Sequence, residues 1–415
     1  MTSVFPTEIY EHIIDSVGQW RRSRKTLHSC SLTCWAWVPR SRLNLFRSIS
    51  FASTGSEGIH RFARLLDEAT HLRSLVQEVK ISMGDHPVGA GPQSREALEI
   101  LPVILCGRLP TLRTFRLSAM NRHSLPLSLH PSFFPSLAQF RTVTTLVLYH
   151  VTFARSADFV RTVVSLPRLK TLECGHVDWL TQHGHLFDTL SVSHLSLEGA
   201  NYYPEASQDI RARTVISLLS ATRLRLTKLM IDGCEFSSAS TAKGHHSDIL
   251  LPPCPHLHLL RINLVLEPAR RTNVTSICSI LADVTLPALR VLVFNIEAVK
   301  SPLKSHELQA IVEEFLESIG SVLDGVLSAK RFPALQRVVF HIGGPPWRPD
   351  HEWWLSRIPN WFPLCCKDNK VHLTFAQPKP DSRRWSYPTS PQYLEFTPGR
   401  SQQGVIDPAM LGFAF

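Results

Sequence analysis

The sequence predicts an α/β protein in three parts: a small N-terminal helical module, an irregular solenoid of parallel strands plus helices, and a disordered Pro-rich tail. Three observations carry this reading. Apolar residues recur at helical spacing within residues 1–50, and a short strand signal then returns repeatedly along the body. The end of the chain is rich in proline, with Pro378, Pro380, Pro388, Pro391, Pro398 and Pro408 among Ser, Gln and Gly.

In the module, Pro6 suits the first turn of a helix, where its missing N–H would have had no partner. Ile9, Ile13 and Val17 follow at every fourth position with Ile14 beside them, leaving Glu8, Glu11, His12 and Asp15 on other faces. After the basic break Arg21-Arg22-Ser23-Arg24-Lys25, a second helix is expected through Leu27, Cys30 and Cys34, with Trp37 one turn on. Pro39 interrupts it and opens a third, short helix ending in Leu43 and Phe46. Phe5, Trp35, Trp37, Leu45 and Phe46 give more apolar surface than so small a unit can hide, so a partner is expected.

Phe5-Pro6-x-Glu8-Ile9, Ile13-Ile14, Leu27 and Cys30-Ser31-Leu32-Thr33-Cys34-x-x-Trp37 resemble the F-box, the adaptor-binding module of substrate receptors in cullin-RING ubiquitin ligases. The wording of that last run, followed by Arg40-Ser41-Arg42 and Leu45-Phe46, is similar to the large F-box family of mushroom-forming fungi. F-boxes usually begin Leu-Pro; Phe5 is a volume change that an apolar anchor tolerates. The resemblance covers residues 1–50 and implies a three-helix fold. It also implies that Phe5, Pro6, Ile9, Ile13, Leu27, Cys34 and Trp37 face or define an adaptor-binding surface. The implied partners are a Skp-type adaptor and, through it, a cullin. The plain alternative is an N-terminal helical cap.

Residues 51–74 read as a helical connector: a loop from Ser53 to Gly58, then a helix with the face Ile59, Phe62, Leu66 and Ala69. From residue 75 to 376 an apolar pattern repeats, in its clearest form with a proline two places ahead. It is seen in Pro110-x-Leu112-x-x-Phe115-x-Leu117, Pro167-x-Leu169-x-x-Leu172-x-Cys174, Pro255-x-Leu257-x-x-Leu260-x-Ile262, Pro287-x-Leu289-x-x-Leu292-x-Phe294 and Pro333-x-Leu335-x-x-Val338-x-Phe340. Looser copies are Val76-Val79-Ile81, Val143-Leu146-Leu148, Val192-Leu195-Leu197 and Leu226-Leu229-Ile231. Helical stripes lie between them: Leu308 through Val326, Val274 through Leu281, and Ile210 through Leu219. One strand and one helix per unit is the leucine-rich plan, although most spacings exceed its usual length of roughly 20–29 residues, so the repeats are degenerate. The proline falls in the connection before each strand, where no sheet N–H is needed.

Trp347, Trp353, Trp354, Ile358-Pro359-x-Trp361-Phe362-Pro363 and Val371-x-Leu373-x-Phe375 form a Trp-rich closing unit, because the last repeat must shield a core that has no next neighbour. An aromatic ligand slot is the alternative there. Residues 377–415 are expected to be a disordered tail.

Several function classes lose support. No run of about 18 apolar residues occurs, so no membrane span is expected. Glu8, Glu11 and Asp15 interrupt what a signal peptide would keep apolar. Nine cysteines without paired metal spacing fit reduced thiols, which leaves Asn273-Val274-Thr275 an idle sequon and points to an intracellular protein of the cytoplasm or nucleus. No G-x-G-x-x-G, phosphate loop, G-x-S-x-G or H-E-x-x-H is present. His183-x-His185, His245-His246 and His256-x-His258 lack completing ligands, so no metal, no cofactor and no catalytic residue is assigned. The net charge of +10 keeps a nucleic-acid reading open, but the basic residues are dispersed in sequence and that reading is not favoured.

Strand alternation then predicts a concave row including Arg116, Ser118, Tyr149, Glu173, Glu198, Lys228, Asp232, Arg261, Asn263, Asn295, Arg337 and His341. Arg116, Tyr149, Glu173, Glu198, Asp232 and Arg261 are its candidate target-binding residues; the bland alternative is a solvated face. The expectation is a non-catalytic substrate receptor of a Skp-cullin-F-box ligase. Its rivals are a leucine-rich scaffold outside any ligase, a basic nucleic-acid-associated protein, and an enzyme with a deep pocket of perturbed titrating groups.

Overall fold

The protein is α/β. The computed structural model describes residues 6–18, 23–52, 56–83, 93–119, 127, 129–175, 177–181, 191–198, 219–232, 252–266, 281, 284–298, 305–328, 331–343, 351–375, 393–396 and 404–406. The chain divides into two compact units, Met1–Leu186 and Phe187–Phe415.

The first unit opens with three helices, α1 (Thr7–Gly18), α2 (Arg24–Thr33) and α3 (Val38–Arg47), with a single 3-10 turn, Trp35–Trp37, before the third. Pro39 sits in the first turn of α3, where a missing N–H costs nothing. Ile14, Val17 and Leu27 form the core of this module, with Trp37 and Leu45 partly buried against it.

Strand β1 (Ser48–Ala52) follows directly, then α4 (Glu57–Glu68) and β2 (Glu78–Met83). No strand is expected from the sequence at β1. Its apolar signal is only Ile49-x-Phe51, and the strand exists because it pairs in parallel with β2 over its whole length. Helix α5 (Gln93–Leu105), β3 (Thr114–Ala119), α6 (Phe133–Leu137), β4 (Thr145–Tyr149), β5 (Thr152–Arg155), α7 (Ser156–Val164), β6 (Thr171–Gly175) and β7 (Asp178–Thr181) complete the described part. Strands β1, β2, β3, β4 and β6 pair in that order, all parallel, and β5 pairs with β7 apart from them. Two apolar rows run across the five: Ile49, Val79, Phe115, Leu146, Leu172, and Phe51, Ile81, Leu117, Leu148, Cys174. All ten are buried. The eight on β2, β3, β4 and β6 are the second and third apolar positions of the repeated pattern, so each copy of the pattern adds one strand to the sheet, and Ile49 and Phe51 of β1 extend the same two rows.

The second unit carries six parallel strands, β8 (His194–Glu198), β9 (Lys228–Asp232), β10 (Leu259–Leu266), β11 (Val291–Ala298), β12 (Arg337–Gly343) and β13 (Val371–Phe375). Helices α8 (Ser305–Ser328), α9 (His351–Trp361) and α10 (Pro363–Lys367) belong to this unit. The buried Asp324 of α8 accepts the backbone N–H groups of Leu364 at 2.8 Å and Cys365 at 2.9 Å, satisfying two orphan donors at the start of α10. A Cβ on Gly320 would lie 2.9 Å from the Trp361 carbonyl oxygen, so α8 approaches the end of α9 closely enough to require glycine there. Ile358 and Phe362 of the expected closing unit are fully buried.

The tail corrects one expectation. Instead of remaining wholly disordered, it adds β14 (Tyr393–Phe396) antiparallel to β13, and β15 (Gly404–Ile406) antiparallel to β14. An exposed parallel edge strand presents unpaired N–H and C=O groups, and this hairpin-like return supplies partners for them. The remaining tail residues, and the helical stripes expected through Val274–Cys278 and Ile210–Ile216, lie outside the described residues.

A turn precedes each of β3, β4, β6, β10, β11 and β12, with a hydrogen bond from residue i+3 to i: Leu112 to Leu109, Val143 to Phe140, Leu169 to Leu166, Leu257 to Cys254, Leu289 to Leu286 and Leu335 to Phe332. Both end residues are buried in each case. The repeated proline occupies i+1 of five of these turns, the position its fixed φ favours, which explains its constant offset from the strand.

Candidate binding surfaces

The α1–α3 module is braced by one polar cluster. Arg40 donates through Nε to Asp15 Oδ1 at 2.6 Å and through Nη2 to Oδ2, and Asn44 Nδ2 donates to Asp15 Oδ1 at 2.8 Å. The Arg40 bond is the main reason that the Asp15 carboxyl is held below the usual carboxylate range. A Cβ on Gly18 would lie 2.5 Å from Asn44 Oδ1, so glycine at the end of α1 leaves room for the side chain that completes this brace.

With Ile14 and Val17 turned inward, the neighbouring stripe of α1 is left in solvent: Ile9 is 47% and Ile13 46% exposed, and Pro6 is exposed ahead of them. Of the other predicted adaptor residues, Leu27 is core, Trp37 is half-buried with its ring 5.7 Å from that of Tyr10, and Cys34 is exposed. Phe5 lies outside the described residues. The predicted set therefore contains both kinds of residue, those that build the module and those that it presents. Leu32 (74%) and Trp35 (88%) are more exposed than Ile9 or Ile13, yet they fall outside that set. Their signal is the apolar content of the Cys30–Trp37 run, which marks surplus surface without saying which side chain bears it.

The sheet supplies the second surface. On β2, β3, β4 and β6, residues alternating with the core rows form a register Lys80, Arg116, Val147, Glu173 and, two residues on, Ser82, Ser118, Tyr149, Gly175. Arg116 Nε lies 3.4 Å from Glu78 Oε1, and Lys80 Nζ lies 3.2 Å from Glu78 Oε2. The Tyr149 ring lies across Gly175, where a Cβ would come within 2.6 Å of Cε1. Arg116, Tyr149 and Glu173 thus share one part-exposed face of the first unit. Glu198 and Asp232 end β8 and β9, and their side chains lie outside the described residues.

The equivalent face of the second unit is different. Arg261 Nε and Asn295 Nδ2 both donate to Asn263 Oδ1 at 3.1 Å, and His341 Nδ1 lies 3.0 Å from Thr374 Oγ1. Asn295, His341 and Thr374 are buried, as are Val293 and Val339 beside them. Asn295 and His341, expected in an open concave row, are interior residues.

His256 and His258 lie exposed in the turn before β10, while His183, His185, His245 and His246 lie outside the described residues. Among the described residues no three His, Cys, Asp or Glu side chains gather as metal ligands. The described cysteines are all free thiols, and burial pushes Cys365 up to about 12 and Cys254 up to about 11. No described helix is long and apolar enough to cross a membrane. No protein-family model matches the chain, and no curated protein matches it either.

Proposed function

We propose that the protein is a non-catalytic substrate receptor whose α1–α3 module acts as an F-box toward a Skp-type adaptor, and through it a cullin. The observation that carries this reading is the exposed pair Ile9 and Ile13 beside Pro6, on a small helical module whose own core is already formed by Ile14, Val17 and Leu27. Full burial of such a side chain contributes about 1.5–3 kcal/mol, and covering the exposed half of each gives about half of that, so the stripe is suited to a partner and idle without one. The strand body is read as degenerate leucine-rich repeats that hold a protein target, with Arg116, Tyr149 and Glu173 on the open face. The receptor contributes proximity: holding target and conjugating machinery in one assembly raises their effective concentration.

The test is capture of the full chain by a Skp-type adaptor from the same organism, compared with the double variant Ile9→Asp/Ile13→Asp. Both positions are exposed, so circular dichroism should be unchanged while adaptor binding is lost. Equal capture of the variant, or no capture of the parent chain, would overturn the reading. The second outcome would leave a scaffold that joins no ligase.

A further inference from the structure

The cations that lie scattered through the sequence are gathered by the turns that precede the strands. In the unit Met1–Leu186 the exposed residues of these turns include Arg113, Arg141, Arg168 and Lys170. The Arg113 carbonyl accepts the N–H groups of Thr144 and Thr145, and the Thr144 carbonyl accepts those of Lys170 and Thr171. Arg113, Thr144 and Lys170 therefore stand on successive levels of one sheet edge, about 4.8 Å apart. No Asp or Glu occurs anywhere in residues 109–113, 140–144 or 166–170. Arg113, Arg141 and Arg168 make no ion pair with a described carboxylate, whereas Arg73 and Arg108, in the preceding turns, both pair with Asp67. The unit Phe187–Phe415, taken by itself, repeats the bias: Arg223, Arg225, Arg290 and Arg331 are exposed in turn segments that contain no acidic residue.

The chemistry of this edge selects among polyanions. It offers cations and threonine hydroxyls but no exposed aromatic ring, since Phe140, the one aromatic residue of these three turns, is buried. Without apolar anchors, binding depends on charge. Isolated carboxylates on a polypeptide gain little from exposed cations in salt, roughly 0–1 kcal/mol per pair. A nucleic acid differs because each neutralised phosphate releases condensed counterions, so charge alone gives useful affinity. Single strands gain much of their affinity by stacking bases on aromatic side chains, which this edge does not present, while a duplex carries more charge per unit length. Arginine's planar fork also matches phosphate oxygens in pairs.

We propose that the pre-strand turn edge of the first unit, built on Arg113, Arg141 and Arg168, binds the phosphate backbone of a nucleic-acid duplex without reading its sequence. This function is independent of the adaptor-binding module.

The experiment uses the full chain and a short, mixed-sequence, fluorescein-labelled DNA duplex, with affinity measured by anisotropy across a salt series. The parent chain should bind, and R113Q/R141Q/R168Q should lower the slope of log affinity against log salt by about 2 to 3, roughly 0.9 for each phosphate that is no longer neutralised. The control R24Q/K25Q/R64Q removes the same charge from exposed helical positions and should leave the slope unchanged. No binding by the parent at low salt, an unchanged slope in the edge variant, or an equal loss in the control would each overturn the proposal. So would tighter binding to poly-glutamate, to anionic lipid vesicles or to a single strand of matched charge. Adaptor capture should be the same for the edge variant and the parent, which separates this test from that of the receptor reading.

Discussion

The two units turn the same strand alternation to opposite ends. In the first, most of the residues that alternate with the core meet water: Lys80 and Arg116 keep 36% and 37% of their side-chain surface exposed, and Val147 is the buried exception between Arg116 and Glu173. In the second, the corresponding positions Val293, Asn295, Val339, His341 and Thr374 of β11 to β13 are all at 5% or below, whereas Lys228, Met230, Arg261 and Asn263 of β9 and β10 stay at least part-exposed. Alternation says which residues share a face, and it does not say whether that face meets solvent. Composition does. The outward positions of β2 to β6 are largely Thr, Ser and charged residues, whereas β11 and β12 read Val291-Leu292-Val293-Phe294 and Val338-Val339-Phe340, the continuous apolar runs of strands covered on both sides.

The strongest way to break this comparison is to place a charge on the covered face. Val339→Lys puts an ammonium between Val293 and His372 in the β11–β12–β13 register. An uncompensated buried charge costs about 3–5 kcal/mol, so urea unfolding of the second unit should shift by that amount. A shift below about 1 kcal/mol, the range of ordinary surface substitutions, would mean that this face is open.

Thr374→Val sharpens it at smaller scale. The substitution keeps the shape and removes the hydroxyl next to His341 Nδ1. Leaving a buried polar atom unsatisfied costs about 1–3 kcal/mol. Thr374→Ser, which restores the hydroxyl, should recover most of the loss. Equal losses in both variants would assign the effect to the missing methyl.

Much of the fold could be read in advance because its cause is local. Five prolines at one offset from an apolar triplet mark turns whose geometry needs Pro at i+1, and those turns fix where each strand begins. What escaped depends on distant pairing. Strand β1 is defined by its neighbour β2, and β14 by β13, so neither carries a long enough signal of its own. The surfaces divide in the same way. Ile9 and Ile13 were legible as a stripe, but their exposure beside a buried Ile14 depends on where α2 and α3 pack. Arg113, Arg141 and Arg168 lie 27 or more residues apart in the chain and share an edge only through sheet register.

In the helical module the brace is intermediate in exposure, since Asp15 and Arg40 keep about a third of their side-chain surface, 31% and 33%, in solvent. Because the folded Asp15 pKa is depressed, chiefly by the Arg40 hydrogen bond, its contribution is present above the unfolded value of about 3.9. It is lost as pH falls through the folded value. Asp15→Asn should cost about 1–2 kcal/mol at neutral pH, less than a fully buried pair. As pH falls from about 4 through the depressed folded value, the variant and parent should converge in stability. A constant gap at all pH values would show that Asn disrupts packing and that charge is not the cause.

Arg116→Ala should have the smallest effect, within about 0.5 kcal/mol, because its Nε lies 3.4 Å from Glu78 Oε1 without making a hydrogen bond and its side chain is 37% exposed. One feature of the register could enlarge it. Val147 follows Arg116 in the row, precedes Glu173, and is only 1% exposed although it points to the open face. Long charged side chains cover apolar neighbours with their stems while keeping their heads in water. If the Arg116 stem is part of that cover, Arg116→Ala will cost more than 0.5 kcal/mol and Arg116→Met will restore stability without the charge. If both variants match the parent, Val147 is covered from elsewhere and Arg116 is free to engage a partner.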